Sequence, residues 1–175
     1  MCNRYVPPKR VKVKLREQLY EAEFRFEDVR PTDPAPILSA DGLREMRWGW
    51  RVPWDKKPLT NAKSETLKEL KIYMDHLDQR CLILAEGFFE KGIQFTKSNR
   101  QLFAMAGLWR KEKDGEKFTM LTTTPNETIA PHHNRMPFLL RPEQYDEWIG
   151  EKWEIVLANP DKSPLERIIK QPELF

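Results

Sequence analysis

The run Arg80-Cys-Leu-Ile-Leu-Ala-Glu-Gly-Phe-Phe-Glu90 decides the fold class. From Cys81 to Phe89 it is a short apolar stretch bounded by charge, and such a stretch reads as a β-strand. Leu102 to Trp109, Phe118 to Thr123, Phe138 to Leu140 and Trp153 to Leu157 read the same way, with Lys113-Asp-Gly115 supplying a turn between two of them. Upstream, a helix is expected from about Thr66 to Gln79: Thr66 and Glu69 form a capping-box pattern, and Leu67, Leu70, Met74 and Leu77 fall on one face. Val11, Leu15, Leu19 and Ala22 also have helical spacing. However, Val11-Lys-Val-Lys-Leu15 alternates as a strand would, so both readings stand. Glu143 to Ile149 reads as a short helix with Tyr145, Trp148 and Ile149 turned inward and Pro142 in its first turn. After Pro160 a peripheral tail is expected, helical at Leu165 to Ile169. Strands separated by turns with a few inserted helices indicate one α+β domain over residues 1–175, its core about 2–160 a mostly antiparallel, curved sheet.

The 175 residues are 39% hydrophobic and 33% charged, a globular composition, and the chain is long enough to bury a core unaided. With two cysteines, Cys2 and Cys81, neither a disulfide scaffold nor a multi-cysteine zinc site can be built. Three histidines and a terminal thiol do not make a metal site either, so no metal and no cofactor are expected. No apolar run reaches membrane-spanning length, and the start Met-Cys-Asn-Arg-Tyr lacks the apolar core of a signal peptide. A soluble cytoplasmic protein with free thiols and no membrane partner is expected.

The net charge of +3 is too small to imply a polyanion partner by itself, but its distribution is uneven. Arg4 to Arg16 carries six basic residues and no acidic one, and Glu17 to Asp28 is mainly acidic. A second basic stretch, Arg44 to Lys57, interleaves five basic residues with Trp48, Trp50 and Trp54. That composition suits either a groove that stacks bases and tracks phosphates or a tryptophan-rich core edge with a solvated charged face.

Cys2 carries the most chemical information. Its side chain is small enough for methionine aminopeptidases to remove Met1, leaving an amine and a thiol on adjacent carbons. An aldehyde that forms an imine with the amine is then captured by the thiol as a five-membered thiazolidine. With an α-amine pKa near 7.8, roughly a tenth of the amine is free at pH 7, against roughly 0.04% for an ordinary lysine. Two weak nucleophiles become one stable trap.

Five blocks occur in order: Met1-Cys-Asn-Arg-Tyr5, Met46-Arg-Trp-Gly49, Asn61-Ala-Lys-Ser-Glu-Thr66, the run from Arg80 to Glu90, and His133-Asn-Arg-Met-Pro137. Together they resemble the SRAP (SOS-response-associated peptidase) family, which covalently shields abasic sites in single-stranded DNA, over about residues 2 to 160. The resemblance implies a barrel-like β core with flanking helices and a monomer. It makes Cys2 the nucleophile toward the ring-opened sugar aldehyde, and Asn61 the residue that positions Cys2 and the deoxyribose. It makes Glu90 the proton relay at amine and imine, and His133 the acid or base that opens the sugar ring. Arg4, Lys63 and Arg135 would hold flanking phosphates, Trp48 and Trp54 would stack on bases or wedge at a junction, and Thr122 would touch the backbone nearby. The implied partner is single-stranded DNA containing abasic sites, including single-strand/double-strand junctions, with nucleoid association in a bacterial host. Schiff-base lyase activity and self-removal of Met1 are implied as side activities.

The chain departs from the family pattern at Asn3 and Lys91, where glycine and tryptophan are common, and at Lys63, where a point charge replaces an arginine fork. Plainer readings stand beside the assigned roles. Asn61 could be only a turn residue, Glu90 a solvated charge, His133 a structural partner, and Arg135 the partner of a carboxylate. His76 and His132 read as structural and Cys81 as a buried small hydrophobe. Two other functions remain open: an N-terminal-nucleophile amidohydrolase built on Cys2, and a single-stranded nucleic-acid-binding module without covalent chemistry.

Overall fold

The computed structural model describes residues 2–169. In chain order, β1 (Tyr5–Val6) precedes the hairpin of β2 (Arg10–Leu15) and β3 (Gln18–Glu23), followed by β4 (Pro34–Ser39) and β5 (Gly42–Trp48). A small hairpin of β6 (Trp50–Val52) and β7 (Asp55–Leu59), then β8 (Asn61–Lys63) and α1 (Lys71–Met74), lead to β9 (Arg80–Ala85), β10 (Gly87–Glu90) and β11 (Ile93–Thr96). The long hairpin of β12 (Phe103–Glu112) and β13 (Gly115–Thr123) comes next. It is followed by β14 (Met136–Pro137), β15 (Leu139–Leu140), α2 (Tyr145–Ile149), α3 (Trp153–Leu157) and β16 (Glu166–Ile168).

Five of these strands close into a barrel in the order β13, β5, β4, β9, β12 and back to β13. Only the β13–β5 contact is parallel, so the barrel is mixed and mostly antiparallel. Closure removes the free edges that an open sheet would expose.

The run from Arg80 to Glu90 breaks at Glu86 into β9 and β10, and β9 is apolar from Cys81 to Ala85 because both of its faces are covered there. Cys81, Ile83 and Ala85 point into the barrel with Ile37, Met46, Trp48, Phe103, Met105, Phe118 and Met120. Leu82 and Leu84 point outward beneath Leu38, Leu121, Phe138, Tyr145 and Trp148. The period of a strand thus survives as a division between two cores. Arg80 ties the start of β9 to the helical layer: its guanidinium donates to the carbonyls of Trp148 (2.6 Å), Ile149 (3.0 Å) and Gly150 (2.8 Å), closing the C-terminal end of α2.

The expected helix over Glu143 to Ile149 is present as a 3₁₀ turn at Pro142–Gln144 followed by α2, with Tyr145, Trp148 and Ile149 buried. The Lys113-Asp-Gly115 turn joins β12 to β13. The ambiguity over Val11 to Ala22 resolves to the β2–β3 hairpin, with Val11, Val13 and Leu15 inward.

Three expectations are corrected. Thr66 to Gln79 is not one helix. Leu67 is drawn into the outer core, Leu70 takes extended backbone (φ −95°, ψ 121°), and Leu70 and Met74 stay exposed, so only Lys71–Met74 is helical. Tertiary packing of one leucine overrides the local periodicity. Trp153 to Leu157 is a helix and not a strand: Trp153, Val156 and Leu157, at i, i+3 and i+4, are its inward residues. Leu165 to Ile169 is extended, with β16 added antiparallel to β11 as an edge strand.

The chain ahead of β16 is clasped by Asp161. Its carboxylate accepts from Lys97 Nζ at 2.6 Å and from the Ser163 backbone N–H at 3.0 Å, while its own N–H donates to Leu139 O at 2.9 Å. Desolvation pushes the Asp161 carboxyl up, but the Lys97 and Ser163 hydrogen bonds outweigh it and hold the group below its usual range. A carboxyl depressed on folding stabilises the fold above its unfolded pKa, and that contribution fades as pH falls through the folded value. Asp161→Asn is therefore expected to lower Tm at pH 7 and to flatten the loss of Tm below about pH 5. Thermal melts of both proteins between neutral and acid pH check this; parallel acid limbs would contradict it.

Candidate active site

Cys2 lies at the mouth of the barrel, buried among the residues of the inner core. β1 anchors it: Tyr5 pairs with Phe88 of β10, and the Phe89 N–H donates to Arg4 O at 3.0 Å. The Cys2 thiol itself donates to Arg4 O at 3.3 Å. Burial, reinforced by Glu90, pushes this thiol up to about 12. With Met1 in the chain, Cys2 is therefore a neutral, protected thiol. Asn3 has no positive φ, so the chain needs no glycine there.

Asn61 opens β8, which runs parallel to β13 with Asn61 opposite Met120 and Lys63 opposite Thr122. Its Nδ2 donates to Cys2 O at 3.0 Å and to Thr60 Oγ1 at 3.3 Å, while its Oδ1 is buried and makes no hydrogen bond among the described residues. A buried amide oxygen held beside the N-terminal segment is an acceptor in waiting. Glu90 closes β10 and is buried, next to a tight turn in which Lys91 (φ 48°) and Gly92 (φ 77°) both take left-handed backbone. Lys91 is exposed there and does not pack behind Glu90 as a tryptophan could. Cys2, Asn61 and Glu90 thus meet, although 59 residues separate Cys2 from Asn61.

His133 sits in the loop between β13 and β14, its N–H donating to Ile129 O. His133 Nδ1 faces the Arg135 backbone, 3.0 Å from its N–H and 3.2 Å from its carbonyl oxygen. Arg135 crosses to β13 and the turn after β8. Its guanidinium forks onto Glu65 at 3.0 and 2.9 Å and donates to Thr122 O at 2.9 Å and Thr122 Oγ1 at 3.1 Å. These bonds from Arg135 hold the Glu65 carboxyl below its usual range. Arg4 is likewise paired, with Asp28 (Nε to Oδ2 2.8 Å), and its guanidinium lies 3.8 Å from the Phe89 ring centre. Lys63 is exposed. Both arginines expected to hold phosphates already carry carboxylates. Nothing in the sequence singled out Glu65 or Asp28 for those partnerships.

Two expected DNA contacts are corrected. Trp48 is fully buried inside the barrel, stacked on Phe118 at 6.2 Å and edge-on to Tyr5, with its indole N–H donating to Thr60 O at 2.8 Å. It has no face to offer a base. Thr122 is fully buried too, and its hydroxyl serves Arg135. Trp54 differs: it is 69% exposed at the turn between β6 and β7. Gly49, just before that hairpin, has φ 113°, and a Cβ there would meet Pro58 Cβ at 2.7 Å, so the Trp-Gly-Trp block needs its glycine.

The charge distribution also reads differently in three dimensions. Arg10 and Lys12 on β2 face Glu23 and Glu21 across the hairpin at 3.2 and 3.9 Å, and Lys14 reaches Glu17 in the turn at 3.7 Å, so the basic and acidic stretches partly offset each other. Around the second stretch, a cleft of about 400 Å³ is lined by Arg47, Arg51, Lys56, Lys57 and Lys117 together with Asp55 and Glu112. Among the described residues no group of three or more His, Cys, Asp or Glu is placed to hold a metal, and no helix is long and apolar enough to cross a membrane.

The sequence profile of the family described as SOS response associated peptidase (SRAP) matches residues 1–167. The chain is 35% identical over 151 residues to the abasic site processing protein YoqW of Bacillus subtilis, a match covering 71% of this chain and 66% of that relative. It therefore spans just under two thirds of that relative's length. It is 26% identical over 124 residues to the abasic site processing protein YedK of Escherichia coli, covering 63% and 56% of the two chains. Among solved structures, a Bordetella bronchiseptica protein superposes with a TM-score of 0.74 at 20% identity, over 95% of this chain and 98% of that one. The barrel is shared even where few residues are. Because the family profile runs from the N-terminal cysteine through the His133 loop to the edge strand β16, the chain belongs to the SRAP family.

Proposed function

We propose that this protein processes abasic sites in DNA by forming a covalent thiazolidine crosslink through Cys2 once Met1 is removed. The observation that carries the reading is the meeting of Cys2, Asn61 and Glu90 at the barrel mouth, with Asn61 holding the Cys2 carbonyl and leaving a buried oxygen unused. Removal of Met1 converts the Cys2 amide nitrogen into an α-amine, to which that oxygen can serve as acceptor. The neutral amine attacks the aldehyde carbon of the ring-opened deoxyribose, and Glu90 takes up the proton that the attack releases. Loss of water gives the imine. The thiol then adds to the imine carbon, its sulfur forming the new C–S bond and its proton passing to nitrogen, so one water is the sole product besides the adduct. His133, with its ring held by the Arg135 backbone, supplies the proton transfer that opens the sugar. β-Elimination from the imine and self-removal of Met1 are the side activities of the same site. The protein acts as a monomer in the cytoplasm and, in a bacterial host, at the nucleoid.

On the same reading, Lys63, the exposed Trp54 and the basic cleft beside it bind the strand flanking the lesion, including at single-strand/double-strand junctions. Arg4 and Arg135 reach phosphate by exchanging Asp28 and Glu65 for it. Trp54→Ala is expected to weaken binding of single-stranded DNA about 5- to 160-fold, the range for one base–aromatic stack, while leaving Tm unchanged. Fluorescence-polarisation titrations check the first and thermal melts the second. The decisive experiment for the function is incubation of the processed protein with an oligonucleotide bearing one abasic site. A heat-stable shifted band, and an intact mass equal to the two reactants minus one water, are expected; a processed protein that gave neither would overturn the proposal.

A further inference from the structure

Within this site one buried polar atom has no assigned task. The Tyr5 hydroxyl is completely buried and makes no hydrogen bond among the described residues. An orphaned buried hydroxyl is destabilising, and phenylalanine would fill the same volume without that cost. The Tyr5 ring is held from the side by Trp48, edge-on at 5.4 Å, and the β1 backbone is pinned by Phe88 and by Val29 at 3.0 and 2.8 Å. The phenol is thus fixed in the inner core, which also contains both thiols of the chain, Cys2 three residues upstream and Cys81 on β9. These thiols are the titratable groups that act on Tyr5; those acting on Cys2 include Glu90 from β10. Burial holds the phenol well above its usual range, so it stays protonated and can only donate to a negative partner.

Cys2 will need such a donor. Its thiol proton is committed to Arg4 O, an acceptor that suits the neutral form. Once the proton leaves, that carbonyl faces a negative sulfur and the interaction turns unfavourable, with Glu90 adding a like charge nearby.

We propose that Tyr5 is a positioning residue whose hydroxyl donates a hydrogen bond to the Cys2 sulfur as the thiol gives up its proton and closes onto the imine carbon. The inference rests on the crosslinking function proposed above. It accounts for a tyrosine where phenylalanine would pack equally well: the hydroxyl is left unpaired in the resting protein and becomes paired as the sulfur acquires charge. Cys81, fully buried against Gly107, shares the inner core with the phenol.

Tyr5→Phe tests it, because the variant removes one oxygen and keeps the ring on Trp48. In protein processed at Met1, the rate of Cys2 alkylation by iodoacetamide is followed from pH 7 to 10, with the modified cysteine identified by peptide mass. Losing one charge-assisted hydrogen bond raises a thiol pKa by about one unit, and the higher intrinsic nucleophilicity of the resulting thiolate offsets part of that loss. The expected rate in Tyr5→Phe is therefore about three- to tenfold lower at a given pH, with the profile displaced upward. Tm is expected to stay level or rise, since the orphaned hydroxyl is gone. A superimposable alkylation profile overturns the role of Tyr5, whichever way Tm moves. Crosslinking to an abasic oligonucleotide is measured in parallel. Failure of the unsubstituted protein to crosslink sinks the proposed function, while the alkylation profile still decides on Tyr5.

Discussion

Cys2→Ala is expected to eliminate the heat-stable adduct with an abasic oligonucleotide altogether, while binding to the same oligonucleotide at low salt persists. The amine of the variant can still form an imine, but with no sulfur to close the ring the product remains hydrolysable and disappears on heating. The fold tolerates the change, because removing one buried sulfur from the barrel mouth costs on the order of 1 kcal/mol. Cys2→Ser separates the chemistry further: its hydroxyl can close only the more labile oxygen analogue, so a Ser adduct as heat-stable as that of the unsubstituted protein would rule out a thiazolidine. Retaining or blocking Met1 should abolish the adduct as completely as Cys2→Ala does, since the α-amine is then an amide. Ionic strength distinguishes the two modes of association. Non-covalent binding falls steeply with salt through counterion release, whereas a completed adduct survives it.

The second large effect concerns stability. Trp48→Ala is expected to destabilise the protein by about 3–5 kcal/mol, as large-to-small changes of buried aromatics do. At about 2–4 °C per kcal/mol for a domain of this size, Tm should fall by roughly 6–20 °C. The side chain stacks on Phe118, supports Tyr5 edge-on and closes the carbonyl of Thr60, one residue before Asn61. Its loss therefore leaves a cavity inside the barrel and removes one of the two donors to Thr60 O, the Met120 N–H at 2.9 Å being the other. Thermal melts decide the matter: a Trp48→Ala protein with unchanged Tm and weakened DNA binding would reinstate Trp48 as a stacking platform. Trp54→Ala is expected to show the converse pattern. Two tryptophans six residues apart in one basic stretch are thus separated by burial alone.

That contrast indicates how far the residues themselves could be read. The apolar runs marked three of the five barrel strands, β9, β12 and β13, because close packing on both faces demands such composition, whereas β4 and β5 were not marked by any run. The amphipathic segment 66–79 misled because its periodicity was real but unused. Leu67 was taken into the outer core and the remaining leucines were left outside. At Trp153 to Leu157 five residues were too few to tell a period of two from one of 3.6, and the inward set chose the helix.

The ordered blocks of sequence determined the family and named Cys2, Asn61, Glu90 and His133 as candidates, because family motifs are matters of residue identity. Net charge and its runs could be counted from the same letters. What the letters could not determine was which charges meet. Arg10 and Lys12 of β2 meet Glu23 and Glu21 of β3 across the hairpin, while Arg135 is held by Glu65 and Arg4 by Asp28, pairs distant in the chain that only the fold brings together. The tertiary structure likewise decided that Trp48 is core and Trp54 surface, and that the hydroxyl of Tyr5 is sealed in the barrel with the two thiols. Chemistry is carried by side-chain identity and can be read along the chain, whereas burial and pairing depend on three-dimensional neighbours, which barrel closure alone creates.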